Sequence, residues 1–446
     1  MSKWFISIAL ILAMSSLSVM ARVISDPPTV LPFRDRVAVI NELVNSRLDT
    51  LLPQLMKESG LDMWLVIHRE YSEDQLFYSL VPQPTFAARR TTILVFYHNP
   101  ESNEVERFSV SRYPIGKVYP TRWKGGSLEE QWQRLAEIIS ELDPKQIGIN
   151  TSKSWALADG LTRGLYNEMV KHLDDKYIDR LVPAENLVIR WMETRTEAEI
   201  KLYQHVVAVA RGVISEAFSN RVITPGATTT DDVAWYIRER FEQLGVRPWF
   251  QPYVNVQRQG DNNPGDATFM GKSGMVIERG DVLHTDVGIC YLTLCTDTQE
   301  MGYVMRFAET KVPQGLVDAL KKGNDWQDTL TREYKTGRTG NEILQRAKKA
   351  AEKKGLVASI YTHPIGFVGH AMGPTIGMWD NQGDTPVRGD WKLYPNTAYA
   401  IEGNIKAQVK EWRNEWVQIK LEQTAVYDGK AVHYAAGRQT EWHVIK

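Results

Sequence analysis

In the first half of the chain, hydrophobic patterns typical of strands alternate with patterns typical of helices. Apolar runs at residues 62–67, 92–97 and 146–149 are typical of buried strands, and the stretches at 34–55 and 128–142 predict helices. Strands that alternate with helices in this way predict an α/β domain.

A different order of elements begins near residues 181–195. Apolar residues at helical spacing predict a helix over 200–217, and a second helix is predicted to run from about Thr230 to Leu244. Two strand regions come next, and the chain then repeats the order of two helices and two strands. The later elements are predicted at 314–334, 339–355, 397–405 and 416–427. The sequence therefore predicts two successive halves of similar architecture, with a crevice between them where a site could form.

The composition is that of a globular protein without an excess of charge. The chain has 446 residues, of which 43% are hydrophobic and 24% are charged, and its formal net charge is -1. A chain of this size usually forms two or three domains, each with its own core. Because nucleic-acid-binding proteins normally carry a basic excess, the charge balance argues against a nucleic-acid partner.

The N-terminus has the layout of a secretory signal. Lys3 precedes an apolar run at residues 4–13, and small or apolar residues continue to Ala21, just before Arg22. The run is shorter than the ~20 residues that a membrane-spanning helix needs. We therefore expect residues 1–21 to be a cleaved signal peptide and the mature protein to be periplasmic or secreted, with no stable membrane insertion. The alternative is an uncleaved membrane anchor.

The chain has two cysteines, Cys290 and Cys295. Exported proteins that depend on disulfides for stability usually carry more of them. We expect two small buried thiols that contribute to packing, and the alternative is a bond across a hairpin.

Four acidic residues lie in strand-like segments of the second half. Asp286 ends an apolar strand and Asp297 follows eleven residues later, so a hairpin between them would bring both carboxylates to one face. Glu402 lies in an apolar strand, where a lone charge is costly, and Glu422 shares the polar face of an alternating strand. The alternative is four unrelated surface or turn residues.

One imidazole completes this set. His370 lies in the glycine-rich segment 366–373. Four carboxylates and one imidazole suit a pair of divalent metal ions. Two such ions ~3.5–4 Å apart polarise a carbonyl group and lower the pKa of a bridging water, which makes hydroxide available near neutral pH. The predicted metal ligands are Asp286, Asp297, His370, Glu402 and Glu422.

The order of these residues resembles the creatinase/prolidase/Xaa-Pro aminopeptidase family of pita-bread metallopeptidases. The resemblance rests on the spaced aspartate pair, the glycine-rich histidine loop and two late glutamate-bearing strands. It implies a creatinase-type N-terminal α/β domain over 22–190 and an α+β pita-bread catalytic domain over 191–446. The segment 190–199 resembles the family's entry into its catalytic domain.

The resemblance also implies a role for each ligand. Asp286 would chelate one metal, Asp297 and Glu422 would bridge both, and His370 and Glu402 would complete the other. Glu402 would also take a proton from the bridging water. The implied enzyme is a dinuclear aminopeptidase or dipeptidase, most often with manganese and alternatively with zinc or cobalt. Its implied substrate is a short peptide cut before proline, and its implied assembly is a homodimer.

Two positions near the ligands depart from the family pattern. Gly366 stands where prolidase-like members carry a second histidine, and His363 is a candidate catalytic replacement or else a loop residue. Lys420 stands where an arginine is usual and is a candidate substrate-binding residue, although lysine lacks the bidentate geometry of arginine.

Two further residues are candidates for the site. His284 shares a strand face with Asp286 and is a candidate catalytic, substrate-facing or packed residue. Trp379 follows the histidine loop and is a candidate wall for an apolar or proline ring.

Because these surroundings match the family only in part, a relative that acts on another small molecule, as a non-peptidase hydrolase or lyase, is the alternative function. A non-catalytic binding protein ranks last, since no ligand is missing.

Overall fold

The computed structural model describes residues 27–99, 101–102, 104–260 and 273–446. The predicted signal segment, residues 1–21, lies outside the described residues. Among the helices of the described ranges, none combines the length and the apolar content needed to cross a bilayer.

A five-stranded mixed sheet forms from the first half of the chain. Its strands are β1 (Met63–Arg69), β2 (Thr91–His98), β3 (Val105–Ser109), β4 (Ile147–Ile149) and β5 (Leu181–Pro183). They lie in the order β3-β2-β1-β4-β5; the first three are antiparallel, and β4 and β5 continue from β1 in parallel. The three apolar runs of the sequence therefore become β2, β1 and β4, which lie side by side in the sheet.

Helices cover both faces of this sheet because β1 is apolar on both sides. Trp64 and Val66 pack in a core with α2 and α7, and Met63 and Leu65 pack in another core with α4 and α5. The predicted helix at 34–55 is observed as two helices joined by a π-helical turn at Arg47–Leu51. The helices are α1 (Phe33–Ser46), α2 (Leu52–Ser59), α3 (Gln75–Leu80), α4 (Leu128–Leu142), α5 (Arg163–His172), α6 (Asp175–Ile178) and α7 (Glu185–Glu193).

The second half of the chain builds a nine-stranded sheet, a small three-stranded sheet and four helices. The helices are α8 (Glu197–Ala217), α9 (Thr230–Gln243), α10 (Gln314–Thr331) and α11 (Gly340–Lys353). The strands are β6 (Arg247–Pro248), β7 (Tyr253–Gln257), β8 (Val282–Val287), β9 (Ile289–Tyr291), β10 (Leu294–Cys295), β11 (Thr298–Val304), β12 (Val357–Ile360), β13 (His363–Ile365), β14 (Thr397–Val409), β15 (Glu415–Tyr427), β16 (Val432–Tyr434) and β17 (His443–Ile445). The main path of the large sheet is β12-β14-β15-β11-β8-β7, and the small sheet has the order β10-β9-β6.

Two cores hold the helix pairs against the large sheet. Leu283 and Val287 of β8 pack with α8 and α9, and Ile401 and Ile419 of β14 and β15 pack with α10 and α11. Because successive side chains of a strand point to opposite faces, residues that alternate with these apolar positions point away from the helices. The predicted repeat of two helices and two strand regions is therefore present, and it leaves a polar face on the central strands.

A buried ion network joins the first helices to the start of α8. Arg47 Nη1 lies 2.8 Å from Glu199 Oε2, and Arg195 Nη1 lies 3.1 Å from Glu199 Oε1. All three side chains are almost completely buried. The boundary predicted at residue 190 falls inside α7, whose apolar residues pack in the first core. This packing favours a domain boundary just after α7.

Substitution of Glu199 is expected to destabilise the fold. Glu199→Gln keeps the shape of the side chain but leaves Arg47 and Arg195 buried without a counter-charge, which costs about 3–5 kcal/mol. Thermal and urea unfolding measure the effect. The control is Glu197→Gln, since Glu197 is exposed on the same helix and pairs with Lys201, and it should unfold like the parent. Equal stability of the two variants would contradict the role of the network.

Candidate metal centre

Three strands of the large sheet deliver acidic residues to one place, and a fourth acidic residue, Asp297, directly precedes β11. In the register of β14 and β15, Glu402 lies opposite Glu422, and β15 places Glu422 opposite Gln299 of β11. On the other side of β11, Gln299 lies opposite Asp286 of β8. Directly opposite residues point to the same face with Cβ atoms ~4.5–5.5 Å apart. The strand register thus brings carboxylates from β8, β14 and β15 together.

A histidine joins two of these carboxylates in a compact group. His363 Nε2 lies 3.5 Å from Asp297 Oδ2 and 3.8 Å from Glu422 Oε1. One possible ligand atom from each of the three residues lies within 4.8 Å of the others, and all three residues are buried. Two carboxylates and one imidazole at this spacing are a donor set for a divalent cation such as Mn²⁺ or Zn²⁺.

Unpartnered polar atoms mark the same place. Among the described residues, Asp286 Oδ1, Asp297 Oδ1, Glu422 Oε1 and His363 Nε2 are buried and lack a hydrogen-bond partner. A buried polar atom without a partner is costly, and most such atoms in proteins are paired. A divalent cation would satisfy all four atoms, so this donor set fits a metal site.

The electrostatics of the carboxylates also suit a cation. Burial raises the pKa of Asp286 to about 7, against hydrogen bonds from Tyr253 and Asp297. Burial and the charges of neighbouring carboxylates raise the pKa values of Asp297, Glu402 and Glu422 well above the ordinary range. Carboxylates this close cannot all ionise unless opposite charge is supplied.

The structure places His363 beside Asp297 and Glu422, and it places His370 beside His363. His370 was the expected ligand, yet it is exposed, and its ring centroid lies 4.7 Å from that of His363, which holds the place against the carboxylates. The reason is the path of the chain. His363 begins β13 and lies opposite Ala400, two residues before Glu402, whereas the glycine-rich segment leaves the sheet after β13. Burial, with a smaller effect of His370, lowers the pKa of His363 to about 3, so its imidazole is neutral, the form that binds metals.

His370 lies at the open side of the group beside two aromatic residues. Its Nε2 is 3.4 Å from the Tyr361 hydroxyl, and its ring is 5.1 Å from that of Trp249. The Trp249 indole donates a hydrogen bond to the Thr296 carbonyl, which fixes its position. Trp379, the predicted wall, is 61% exposed. Trp249, which sequence spacing did not single out, is a tryptophan in ring contact with His370.

Two polar residues that the sequence did not indicate contact the acidic side chains. The Tyr253 hydroxyl donates to Asp286 Oδ2 at 2.8 Å. Gln299 Nε2 donates to Glu402 Oε1 and to Glu422 Oε2, both at 2.8 Å. Gln299 follows Asp297 by two residues, so strand alternation was a signal that could have found it. The position of Tyr253 depends on the pairing of β7 with β8, which has no local signal.

His284 and Lys420 lie near the carboxylates but in different settings. His284 is 1% exposed and its Nε2 lies 2.8 Å from Gln299 Oε1, which favours the packed alternative among the roles predicted for it. Burial, followed by the charge of Lys420, lowers the pKa of His284 well below the ordinary value. Lys420 is half-buried in β15. Burial lowers its pKa, and the charges of Asp286 and Glu402 act in the opposite direction.

Comparison with known proteins identifies the family. The sequence model of metallopeptidase family M24 matches residues 201–428, which include every residue of the candidate metal centre. The chain belongs to metallopeptidase family M24. The family consists of metal-dependent peptidases that act on peptide substrates, so this chain is a metallopeptidase with the predicted pita-bread fold. No curated protein matches this M24 peptidase in sequence.

Solved structures share the fold of this M24 peptidase over most of its length. An X-Pro aminopeptidase from Thermotoga maritima MSB8 has a TM-score of 0.62 at 18% identity, over 88% of this chain and 99% of that chain. An Xaa-Pro dipeptidase from Bacillus anthracis has a TM-score of 0.60 at 16% identity, over 93% and 99%. A prolidase from Pyrococcus horikoshii OT3 has a TM-score of 0.57 at 16% identity, over 90% and 99%. The predicted fold class, an α/β part followed by an α+β catalytic part, is confirmed.

The two cysteines of this M24 peptidase form a disulfide, which corrects the prediction of two separate thiols. Cys290 of β9 and Cys295 of β10 are opposite residues of an antiparallel hairpin, with Cα atoms 4.0 Å apart. The sequence separation alone did not specify this register. The backbone N–H of Cys295 also donates to the Gly366 carbonyl at 2.7 Å, which ties the hairpin to the histidine loop.

The stability of the metal-free enzyme should fall as pH rises. A carboxyl group whose pKa is raised by folding binds its proton more tightly in the folded state, so its contribution is present below the unfolded pKa and is lost as pH rises through the folded pKa. For Asp286 this window runs from about 4 in the unfolded chain to about 7 in the fold. After chelation, the melting temperature should therefore decrease as the pH rises from the lower to the upper of these two values. Added Mn²⁺ should raise the melting temperature most at the upper pH.

Asp297→Asn provides the comparison for this experiment. The variant has one fewer carboxylate in the group, so its metal-free form should show a weaker dependence of melting temperature on pH. A metal-free parent whose melting temperature does not change across this range would contradict the electrostatic description of the site.

Proposed function

We propose that this M24 peptidase is an exported dinuclear enzyme that hydrolyses short peptides at Xaa-Pro bonds. The observation that carries the proposal is the convergence of four buried carboxylates and one buried imidazole, in which one atom each of Asp286, Asp297, Glu422 and His363 has no hydrogen-bond partner in the described part of the chain. Support for the substrate class comes from the fold, which is shared along nearly the whole length of proteins described as Xaa-Pro peptidases. Support for export and for a homodimer comes from the sequence pattern and the family resemblance.

The proposed metal ligands are the four predicted carboxylates with His363 in place of His370. Asp286, Asp297, Glu402, Glu422 and His363 would together hold the ions as their ligands. A bound pair of divalent ions, for which manganese is our choice, supplies Lewis-acid polarisation of a carbonyl group and an acidified water. The protein holds the ligand atoms in place before any substrate arrives, since strand register fixes Asp286, Glu402 and Glu422, and Asp297 directly precedes β11.

Other side chains would act on the peptide itself. Glu402 has one oxygen held by Gln299, so its second oxygen is the atom that can accept and return a proton. His370 and Tyr361 are within reach of each other at the open side and can donate hydrogen bonds to substrate oxygen atoms. The ring of Trp249 beside them offers an apolar surface for a proline ring.

Lys420 supports the proposed choice of short peptides. Its ammonium group is half-buried near the acidic site, and its charge can pair with the carboxylate terminus of a dipeptide. The same residue favours the second candidate function, action on a different small carboxylated molecule, because a lysine recognises an anion without the planar geometry of arginine. A panel that contains both peptides and non-peptide amides distinguishes the two.

Activity on Xaa-Pro peptides is the expected result. Purified protein loaded with Mn²⁺ should cleave Xaa-Pro dipeptides or tripeptides, lose activity with a chelator and regain it when Mn²⁺ is returned. Matched Xaa-Ala peptides serve as the control, and liberated proline or amine is the quantity measured. Absence of turnover with every Xaa-Pro peptide would refute the proposed specificity.

The two histidines should separate metal binding from catalysis. His363→Ala removes a proposed ligand, so the variant should bind less metal by elemental analysis and lose activity. His370→Ala should keep the metal content of the parent and lose about 10²–10⁴-fold in kcat, the usual contribution of a positioned proton donor or acceptor. Loss of metal from His370→Ala together with full retention by His363→Ala would restore the original assignment.

A further inference from the structure

A row of buried hydrogen bonds connects four strands of the large sheet next to the carboxylates. It runs from His284 of β8 to Gln299 of β11, and from there to Glu402 and Glu422 on β14 and β15. We infer that Gln299 is a positioning residue that fixes these two glutamates as metal ligands, and that His284 fixes the orientation of Gln299. The inference deepens the proposed function and rests on it, since it concerns how the same metal centre is held.

One nitrogen of Gln299 serves two carboxylates. Gln299 is 4% exposed, and its Nε2 is 2.8 Å from Glu402 Oε1 and 2.8 Å from Glu422 Oε2. An amide nitrogen carries two hydrogens, so each carboxylate receives one of them. Donation to a charged acceptor is among the stronger hydrogen bonds, and here it also sets the separation of two groups that repel each other.

The oxygens that Gln299 engages are the outer ones. Glu422 Oε1, the oxygen that Gln299 leaves free, is buried without a partner and lies 3.8 Å from His363 Nε2. By holding Oε2, Gln299 therefore directs Oε1 of Glu422 toward the ligand imidazole and Asp297. Because the amide binds one oxygen of each glutamate, the other oxygen is the one available to a cation.

His284 fixes the orientation of the Gln299 side-chain amide. The two ends of a glutamine side chain have nearly the same shape, and a half-turn would present Oε1 instead of Nε2 to the two carboxylates. Because Nε2 of Gln299 faces two acceptors, Oε1 must be the atom that accepts from His284 Nε2 at 2.8 Å. His284 Nδ1 has no partner in the described part of the chain, which agrees with a ring whose proton is on Nε2.

Burial makes this arrangement rigid rather than adaptable. His284 is 1% exposed, and its opposite residue on β11 is Met301, which is fully buried in the core that contains α10 and α11. Residues that orient metal ligands in this way typically change metal affinity about 10- to 100-fold when they are replaced. The amide and the imidazole should therefore affect metal binding without contacting either the metal or the substrate.

Metal titration of substituted enzymes tests the inference. Gln299→Met keeps the length of the side chain and removes both donors, so it should weaken Mn²⁺ binding by about 10- to 100-fold in calorimetry. It should also change the visible absorption bands of the Co²⁺-loaded protein, which report ligand geometry. His284→Phe should act in the same direction with a smaller effect, and His284→Gln, which keeps a side-chain donor, should recover part of the loss.

A double variant and a distant control complete the design. If His284 acts through Gln299, the double variant Gln299→Met/His284→Phe should bind Mn²⁺ as weakly as Gln299→Met alone. The control is Gln131→Met, because the buried Gln131 Nε2 also donates to two acceptors, the carbonyls of Thr91 and Val110 in the first sheet. This control should lose stability but keep the Mn²⁺ affinity and the Co²⁺ bands of the parent.

The possible outcomes separate the inference from the proposed function. A parent enzyme that binds divalent ions while Gln299→Met binds them equally well, with unchanged Co²⁺ bands, overturns the inference alone. Strictly additive losses in the double variant overturn the role of His284. A parent that binds no divalent ion overturns the proposed function and the inference together. If Gln299→Met does not fold, the comparison of His284→Phe with His284→Gln decides, and equal Mn²⁺ affinity of these two variants counts against the inference.

Discussion

Mutual repulsion among buried carboxylates is the constraint on which the catalytic half of this enzyme depends. Asp286, Asp297, Glu402 and Glu422 are all less than one-tenth exposed, and their atoms lie close enough to raise one another's pKa values or to share hydrogen bonds. In a medium of low dielectric constant such charges strongly disfavour the folded state unless protons or cations neutralise them. Two core-packed helix pairs hold the strands in place, so the acidic side chains cannot move apart to relieve the repulsion.

The first half of the chain contributes to the site through contacts with the histidine loop. Met372 is part of the core that contains α2 and α7, and Phe367 packs against the same core. The loop that carries His370 is therefore anchored on one side by the five-stranded sheet and on the other by the disulfide hairpin, whose Cys295 N–H bonds to Gly366. An exposed histidine held at both ends of its loop can face a substrate while its backbone stays fixed.

The sequence predicted the elements and the acidic ligands better than it predicted their neighbours. A carboxylate at the end of an apolar run, as at Asp286 and Glu402, stands out because its burial needs an explanation. The choice between His363 and His370 as the metal ligand depends on where β13 ends and the loop begins, which no local pattern specifies. The pairing of Cys290 with Cys295 and the place of Tyr253 likewise depend on strand register, a long-range property of the fold.

The disulfide between β9 and β10 acts on a local scale. It closes a loop with a sequence separation of only five residues, so it removes far less freedom from the unfolded chain than a bond across a long loop would. Its main effect lies in the native hairpin, which leaves the metal centre after Asp286 and returns to it at Asp297. The covalent link therefore holds the two strands of this hairpin together in the segment that separates the two aspartates.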